Sequence, residues 1–287
     1  MNGMFLNNLK SPAQIYREEG ILFYPGFLEG EELARLHASC EFVMGQFRED
    51  LEQTDPVGAA RAVVMAHLNH PRWHREHGEH WKTIMEMVAD PRCLGPVEQI
   101  FSGRSLFRTP NLFFNPRAGT QEGGWHRDHQ FLLPDEEAVQ RYFDEKSRGK
   151  VQLEGIQLQI ALIDNDDVEY VPFSAGRYDS PQEYFYRCAD GRSHNQEAGM
   201  PNAMRVRLRA GDAIIFNAAG LHRGRYHADK PRRTLMLTYT PHRQPMYDAL
   251  SYQPWMMEPR HLDELSPRAQ VYFNDFISVY HDSWKAQ

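Results

Sequence analysis

In the segment GGWHRDHQF (123–131), His126 and Asp128 stand two residues apart beside a strand-like run. On an extended backbone, side chains i and i+2 leave the same face, so an imidazole and a carboxylate at this spacing can converge on one cation. A further histidine, His222, follows the apolar run of GDAIIFNAAGLHRG (211–224). Two imidazoles and one carboxylate suit ferrous iron, filling three adjacent octahedral positions and leaving three open for chemistry. Soon after, PRRTLMLTY (231–239) opens a strand with Arg232 and Arg233. A guanidinium grips a carboxylate through two parallel hydrogen bonds, as the far end of a dicarboxylate co-substrate would require. Taken singly, His126 and Asp128 would pass for a hydrogen-bonded surface pair and His222 for a satisfied buried histidine. The order, triad then arginine, on strands, is what makes the set specific.

Other clusters read more plainly. His70, His74, His77 and His80 in HPRWHREHGEH fall at near-helical spacing and could chelate zinc, but a solvated helix face is the simpler expectation. His129 and His227 read as supporting or surface groups. Arg205, Arg207 and Arg209 alternate along RVRLRAG, as on the exposed face of an edge strand. Cys40, Cys93 and Cys188 are odd in number and far apart, which suggests neither a disulfide framework nor a thiolate zinc site. Cys40 and Cys93 lie in apolar helical surroundings and read as core.

The elements that must position the triad follow from periodicity. EGEELARLHASCEFVMGQF spaces Leu33, Leu36, Cys40, Val43 and Met44 by threes and fours, an amphipathic helix, and HWKTIMEMVAD predicts a second. GILFYPGF predicts a short strand and turn. SLFRTPNLFFN, EGIQLQIALID, RVRLRAGDAIIFN and RRTLMLTYT are short apolar or alternating runs between Gly, Pro and charged turns, the texture of a β domain. Residues 173–203 are polar, aromatic and loop-like, too long for a simple connection, and read as a lid. SPRAQVYFNDFISVYHDSW predicts a closing helix capped by Ser266 with Pro267 first.

Composition sets the outer bounds. Thirty-two basic residues against 39 acidic give a formal charge of -7, which argues against nucleic acid or anionic membrane as a partner. The start, MNGMFLNNLK, has no basic region followed by a long apolar core, and no stretch reaches the ~18 to 20 apolar residues that span a bilayer. The expectation is a cytoplasmic protein; a small molecule is the partner that an enzyme reading would imply.

These segments together resemble the phytanoyl-CoA dioxygenase family of Fe(II)- and 2-oxoglutarate-dependent oxygenases. YREEGILFYPGFLEGEELARLHASC is similar to the family's opening, VADPRCLGPVEQIFSG to its helix before the barrel and WHRDH to its H-x-D motif. IALID is similar to its middle strand, and GDAIIFNAAGLHRG with PRRTLMLTY to its distal histidine and co-substrate arginine. The resemblance implies a mainly β fold with flanking helices, a double-stranded β-helix of the jelly-roll, cupin-like kind with its site in the barrel mouth. It implies iron on His126, Asp128 and His222, with 2-oxoglutarate and dioxygen as co-substrates. The C5 carboxylate maps to Arg232, with Arg233 still open because the loop from His222 is one residue shorter than usual. Neighbours on a strand point oppositely, so only one faces the interior, and Arg233 is expected to face solvent.

The same resemblance implies one domain over 1–287: a helical layer at 1–103, a barrel at 104–240 with the lid at 173–203, and an extension at 241–287. Oxidative decarboxylation would release succinate and CO2, and hydroxylation is the expected outcome, with desaturation, epimerisation or ring formation as alternatives. A carboxylate at Asp128, where related halogenases have a small residue, argues against halogenation. Gln159 stands where many members have tryptophan and is expected to face the pocket. Thr109, Asn111, Phe113 and Asn115 share a face of the first barrel strand, with Asn111 a candidate for the co-substrate. The family's PGSH is replaced by Val171, Pro172, Phe173 and Ser174, and its glycine after the distal histidine by Arg223, so the turn and lid are expected to be rebuilt. A non-catalytic cupin-like binding protein is the reading from another class; it has no need of the arginine.

Overall fold

The computed structural model describes residues 10–74, 77–149, 155–258 and 260–286; most of the MNGMFLNNLK start and two residues of the histidine-rich segment fall outside the described residues. Ten strands are described: β1 (Ile21–Tyr24), β2 (Val64–Met65), β3 (Ser105–Phe113), β4 (Gln121–Glu122), β5 (Ile156–Ala161), β6 (Asn165–Tyr170), β7 (Met204–Leu208), β8 (Ala213–Phe216), β9 (His222–Tyr226) and β10 (Thr234–Pro241). They form two antiparallel sheets, a six-stranded one in the order β1-β8-β5-β10-β3-β2 and a four-stranded one in the order β4-β9-β6-β7. This is the cupin-like double-stranded β-helix, although among the described residues the hydrogen bonds do not run on into a closed barrel.

Strict alternation divides the larger sheet into two chemistries. Ile156, Leu158 and Ile160 of β5 and Leu235, Leu237 and Tyr239 of β10 join the main apolar core. That core is completed by helices Gly30–Thr54, Gly78–Val88, Pro91–Phe101 and Pro267–Lys285, which cover the outer face. The opposite face carries Gln157 and Gln159 of β5, Thr234, Met236 and Thr238 of β10, and Thr109 and Asn111 of β3, with Met236 paired to both Asn111 and Gln159. Apolar burial on one face fixes the register, because a slip of one residue would turn every glutamine and threonine into the helical core. Ser266 caps the last helix by accepting from the Ala269 N–H, with Pro267 first, as its sequence predicts.

Three expectations are corrected. RVRLRAGDAIIFN is two strands in different sheets, β7 and β8, separated by a turn at Gly211 (φ +89°), where a Cβ would meet the Leu28 carbonyl. Residues 173–203 contain a capped helix, Pro181–Arg187, whose Ser180 and Glu183 reciprocate hydrogen bonds. The histidine-rich segment is no uniform solvated face: His74 is buried, with its Nε2 2.6 Å from the Leu68 carbonyl, while His77 and His80 pack on Phe42.

Candidate active site

His126 lies just before a 3-10 turn that begins at Asp128, and His222 opens β9; an antiparallel bridge joins the two histidines. The ligand atoms of His126, Asp128 and His222 lie within 4.8 Å of one another. Both Nε2 atoms face the same carboxylate oxygen, His126 at 3.6 Å and His222 at 3.5 Å from Asp128 Oδ1. Each imidazole is oriented the same way, by Nδ1 against the carbonyl of the glycine two residues earlier: His126 on Gly124 at 2.7 Å and His222 on Gly220 at 2.9 Å. Such a bond places the ring proton on Nδ1 and leaves the Nε2 lone pair free for a metal. Burial, then the neighbouring His222, pushes His126 down to about 4, so it stays neutral. Burial works to raise the Asp128 carboxyl, but its contact with His222 and the fields of the neighbouring imidazoles hold it below the usual carboxylate range.

Sequence reasoning missed two supporting residues. Gln157 Nε2 donates to Asp128 Oδ2 at 2.7 Å and so leaves Oδ1 toward the histidines. Arg127, between the two ligands, points the other way, fully buried, with Nε on Asp179 Oδ1 at 2.9 Å and Nη1 on the Ser174 carbonyl at 2.8 Å. Asp179 also accepts from Arg187, which pairs with Glu136, and Tyr178 donates to Glu136. The segment expected to be a lid is thereby tied to the chain that carries the triad. The signals were present: Gln157 shares a strand face with Gln159, and alternation puts Arg127 opposite its neighbours.

Arg232 is 1% exposed, between the rings of Phe113 and Tyr226 at 5.1 and 5.4 Å. Its Nη1 has no hydrogen-bond partner among the described residues, and its Nε makes only a long bond of 3.4 Å to Thr234 Oγ1. Arg233 was expected to face solvent; it is half-buried and paired with Glu41 of the helical layer, so it is occupied outside the sheets. Gln159 is buried with Nε2 near Met236 Sδ at 3.9 Å and an unpartnered Oε1, and Asn111 accepts from Thr109 at 3.3 Å. Arg223 is also buried, against Trp125 and on Glu169 at 2.6 Å, which is where the family's glycine would leave space. A narrow cleft lined by Arg108, Leu132, Tyr142, Lys146, Thr238 and Met246 reaches Asp128. His77, Glu79 and His80 form a second, largely exposed group with metal-ligand spacing, completed by the carboxylate that the sequence reading did not assign.

Residues 16–234 match the phytanoyl-CoA dioxygenase (PhyH) family. The chain belongs to that family. It is thus an Fe(II)- and 2-oxoglutarate-dependent oxygenase, and the non-catalytic cupin reading falls away. Among solved structures it is similar to the non-heme alpha-ketoglutarate-dependent carbocyclase SnoK of nogalamycin biosynthesis, at 18% identity over 91% of this chain and 92% of that one, with a TM-score of 0.54. It is also similar to EctD from S. alaskensis with 2-oxoglutarate and 5-hydroxyectoine, at 13% identity over 86% and 82%, TM-score 0.53. The epimerase SnoN, in complex with Fe3+, alpha-ketoglutarate and nogalamycin RO, aligns at 18% identity over 84% and 88%, TM-score 0.51. These likenesses establish the fold. No curated protein sequence matches the chain, and no helix among the described residues is long and apolar enough to cross a membrane.

Proposed function

We propose that this chain, folded as one oxygenase domain, hydroxylates a small-molecule metabolite, with His126, Asp128 and His222 holding the iron and Arg232 holding the C5 carboxylate of 2-oxoglutarate. The donor set fits the metal: two imidazoles present Nε2 and one carboxylate presents Oδ1 to a common point. The observation that carries the co-substrate assignment is the orphaned Nη1 of a fully buried arginine. A buried guanidinium nitrogen left without an acceptor is costly, and a ligand carboxylate supplies one. Gln159 and Asn111, paired through Met236 on the face between the triad and Arg232, would contact the co-substrate.

When bound, iron with 2-oxoglutarate supplies the oxidising chemistry. The residues of the chain hold the ligands, exclude water and place the substrate in the cleft beside Asp128. A carboxylate in the third ligand position supports oxygenation over halogenation. The similar structures include a carbocyclase and an epimerase by their own descriptions, so ring closure or epimerisation is the second reading for the same site. The test is succinate release screened against a metabolite collection, followed by product mass. Hydroxylation adds one oxygen; a product two hydrogens lighter, or of unchanged mass, would replace it with desaturation or ring formation, or with epimerisation.

A further inference from the structure

Arg232 shares its enclosure with a carboxylate of the protein's own. In β6 the register against β7 shifts between Asn165 and Val168, so this stretch carries one extra residue. Asp166 is half-exposed and pairs with Arg205 and Lys230. Asp167 turns the other way and is 2% exposed, with Oδ2 3.8 Å from Arg232 Nε and Oδ1 without a hydrogen-bond partner among the described residues. At that distance the two are an ion pair but not a hydrogen-bonded one. Arg232 Nη1 and Asp167 Oδ1 are therefore a buried donor and a buried acceptor, each unsatisfied, in one enclosure.

We propose that Asp167 is an internal counter-ion of Arg232 that competes with the co-substrate carboxylate and so sets the affinity for 2-oxoglutarate. The proposal rests on the assignment of Arg232 to the C5 carboxylate. In the free protein Asp167 neutralises a guanidinium that would otherwise be buried alone. When a second carboxylate arrives, one cation faces two anions, and the like-charge contact subtracts from binding. The other groups bearing on Asp167 are Arg232, His227 and Lys230, which favour its charged form, and Asp166, which opposes it; burial is the largest influence and pushes the carboxyl up from its ordinary value. Asp167 lies beside Arg232 and outside the candidate ligand set, so it is an affinity-setting residue and not a catalytic one.

The test is calorimetric binding of 2-oxoglutarate to the full-length, Mn(II)-loaded protein without dioxygen, in wild type, Asp167→Asn and Asp167→Ser. Removing the competing charge is expected to tighten binding by about tenfold or more. The same variants should melt at a lower temperature without ligand, because Arg232 has lost its counter-ion, and gain more from saturating 2-oxoglutarate than wild type does. A residue that only supported the fold would lower both melting temperatures and leave affinity unchanged or weaker. Unchanged or weaker binding in whichever variant folds overturns the proposal while leaving the oxygenase reading intact. Wild type that binds no 2-oxoglutarate overturns that reading, and the proposal with it.

Discussion

His126 and His222 exchange both backbone hydrogen bonds across their bridge, each N–H donating to the other's carbonyl at 3.0 Å. Two candidate ligands far apart in sequence are thus fixed to each other by the backbone alone, and each ring is then aimed by a glycine carbonyl. Preorganisation of this kind resides in the backbone, so its most sensitive points are the glycines.

Gly220 tests this. A Cβ there would sit 2.1 Å from the hydroxyl of Tyr170, which is buried and donates to the Asn217 carbonyl at 3.1 Å. Gly220→Ala must displace Tyr170 or the turn that aims His222, and iron affinity should fall by roughly 10- to 100-fold in an anaerobic titration. Gly45→Ala, a helical position with open space around it, is the control and should leave affinity unchanged. Equal affinity in both would contradict the aiming role.

Gln157→Leu removes the 2.7 Å hydrogen bond that turns Asp128 Oδ1 toward the histidines. Iron should bind about tenfold more weakly or worse. Gln157→Glu, which sets a second carboxylate against Asp128, should be no better. Wild-type affinity in the leucine variant would show that the Asp128 rotamer does not need Gln157.

Arg127→Met strips one cation from a cluster in which Arg127 and Arg187 share Asp179, all three side chains fully buried. Urea unfolding should show a loss of about 3 to 5 kcal/mol. Asp179→Asn should cost a comparable amount, and the double variant clearly less than the sum. Additive losses would mean that the 173–203 segment is not held through this pair.

His74 gives the pH dependence. Burial pushes it down to about 4, against an unfolded value near 6.5. The unfolded chain therefore binds more protons across this interval, and stability rises with pH. The contribution of His74 is complete above about pH 6.5 and is lost as pH falls toward about 4, by at most ~3 kcal/mol. Unfolding free energies of wild type and His74→Gln between pH 7 and 4 should converge as the solution is acidified; a constant gap would contradict the assignment.

Particular residues show what the sequence could carry. The candidate triad was readable because His-x-Asp sits beside a strand and the second histidine ends another; the family resemblance pointed to Arg232, and alternation added only that Arg232 and Arg233 cannot both face inward. Arg233 on Glu41 was not readable, because that pair joins β10 to a helix far away in the chain. The order within residues 173–203 was hidden for a similar reason: the polar composition reads as loop, but Arg127, Asp179, Arg187 and Glu136 satisfy one another only when brought together. Asp167 faces Arg232 because of a bulge, which alternation does not foresee.

The central claim, that His126, Asp128 and His222 hold iron while Arg232 holds 2-oxoglutarate, is tested most directly by anaerobic absorption spectroscopy. Fe(II) and 2-oxoglutarate added to wild type should produce the weak visible charge-transfer band of the chelate. His126→Ala should give none, and Arg232→Gln should require far more 2-oxoglutarate to reach the same amplitude. A wild-type protein without the band, or an Arg232→Gln variant that titrates like wild type, would contradict the account.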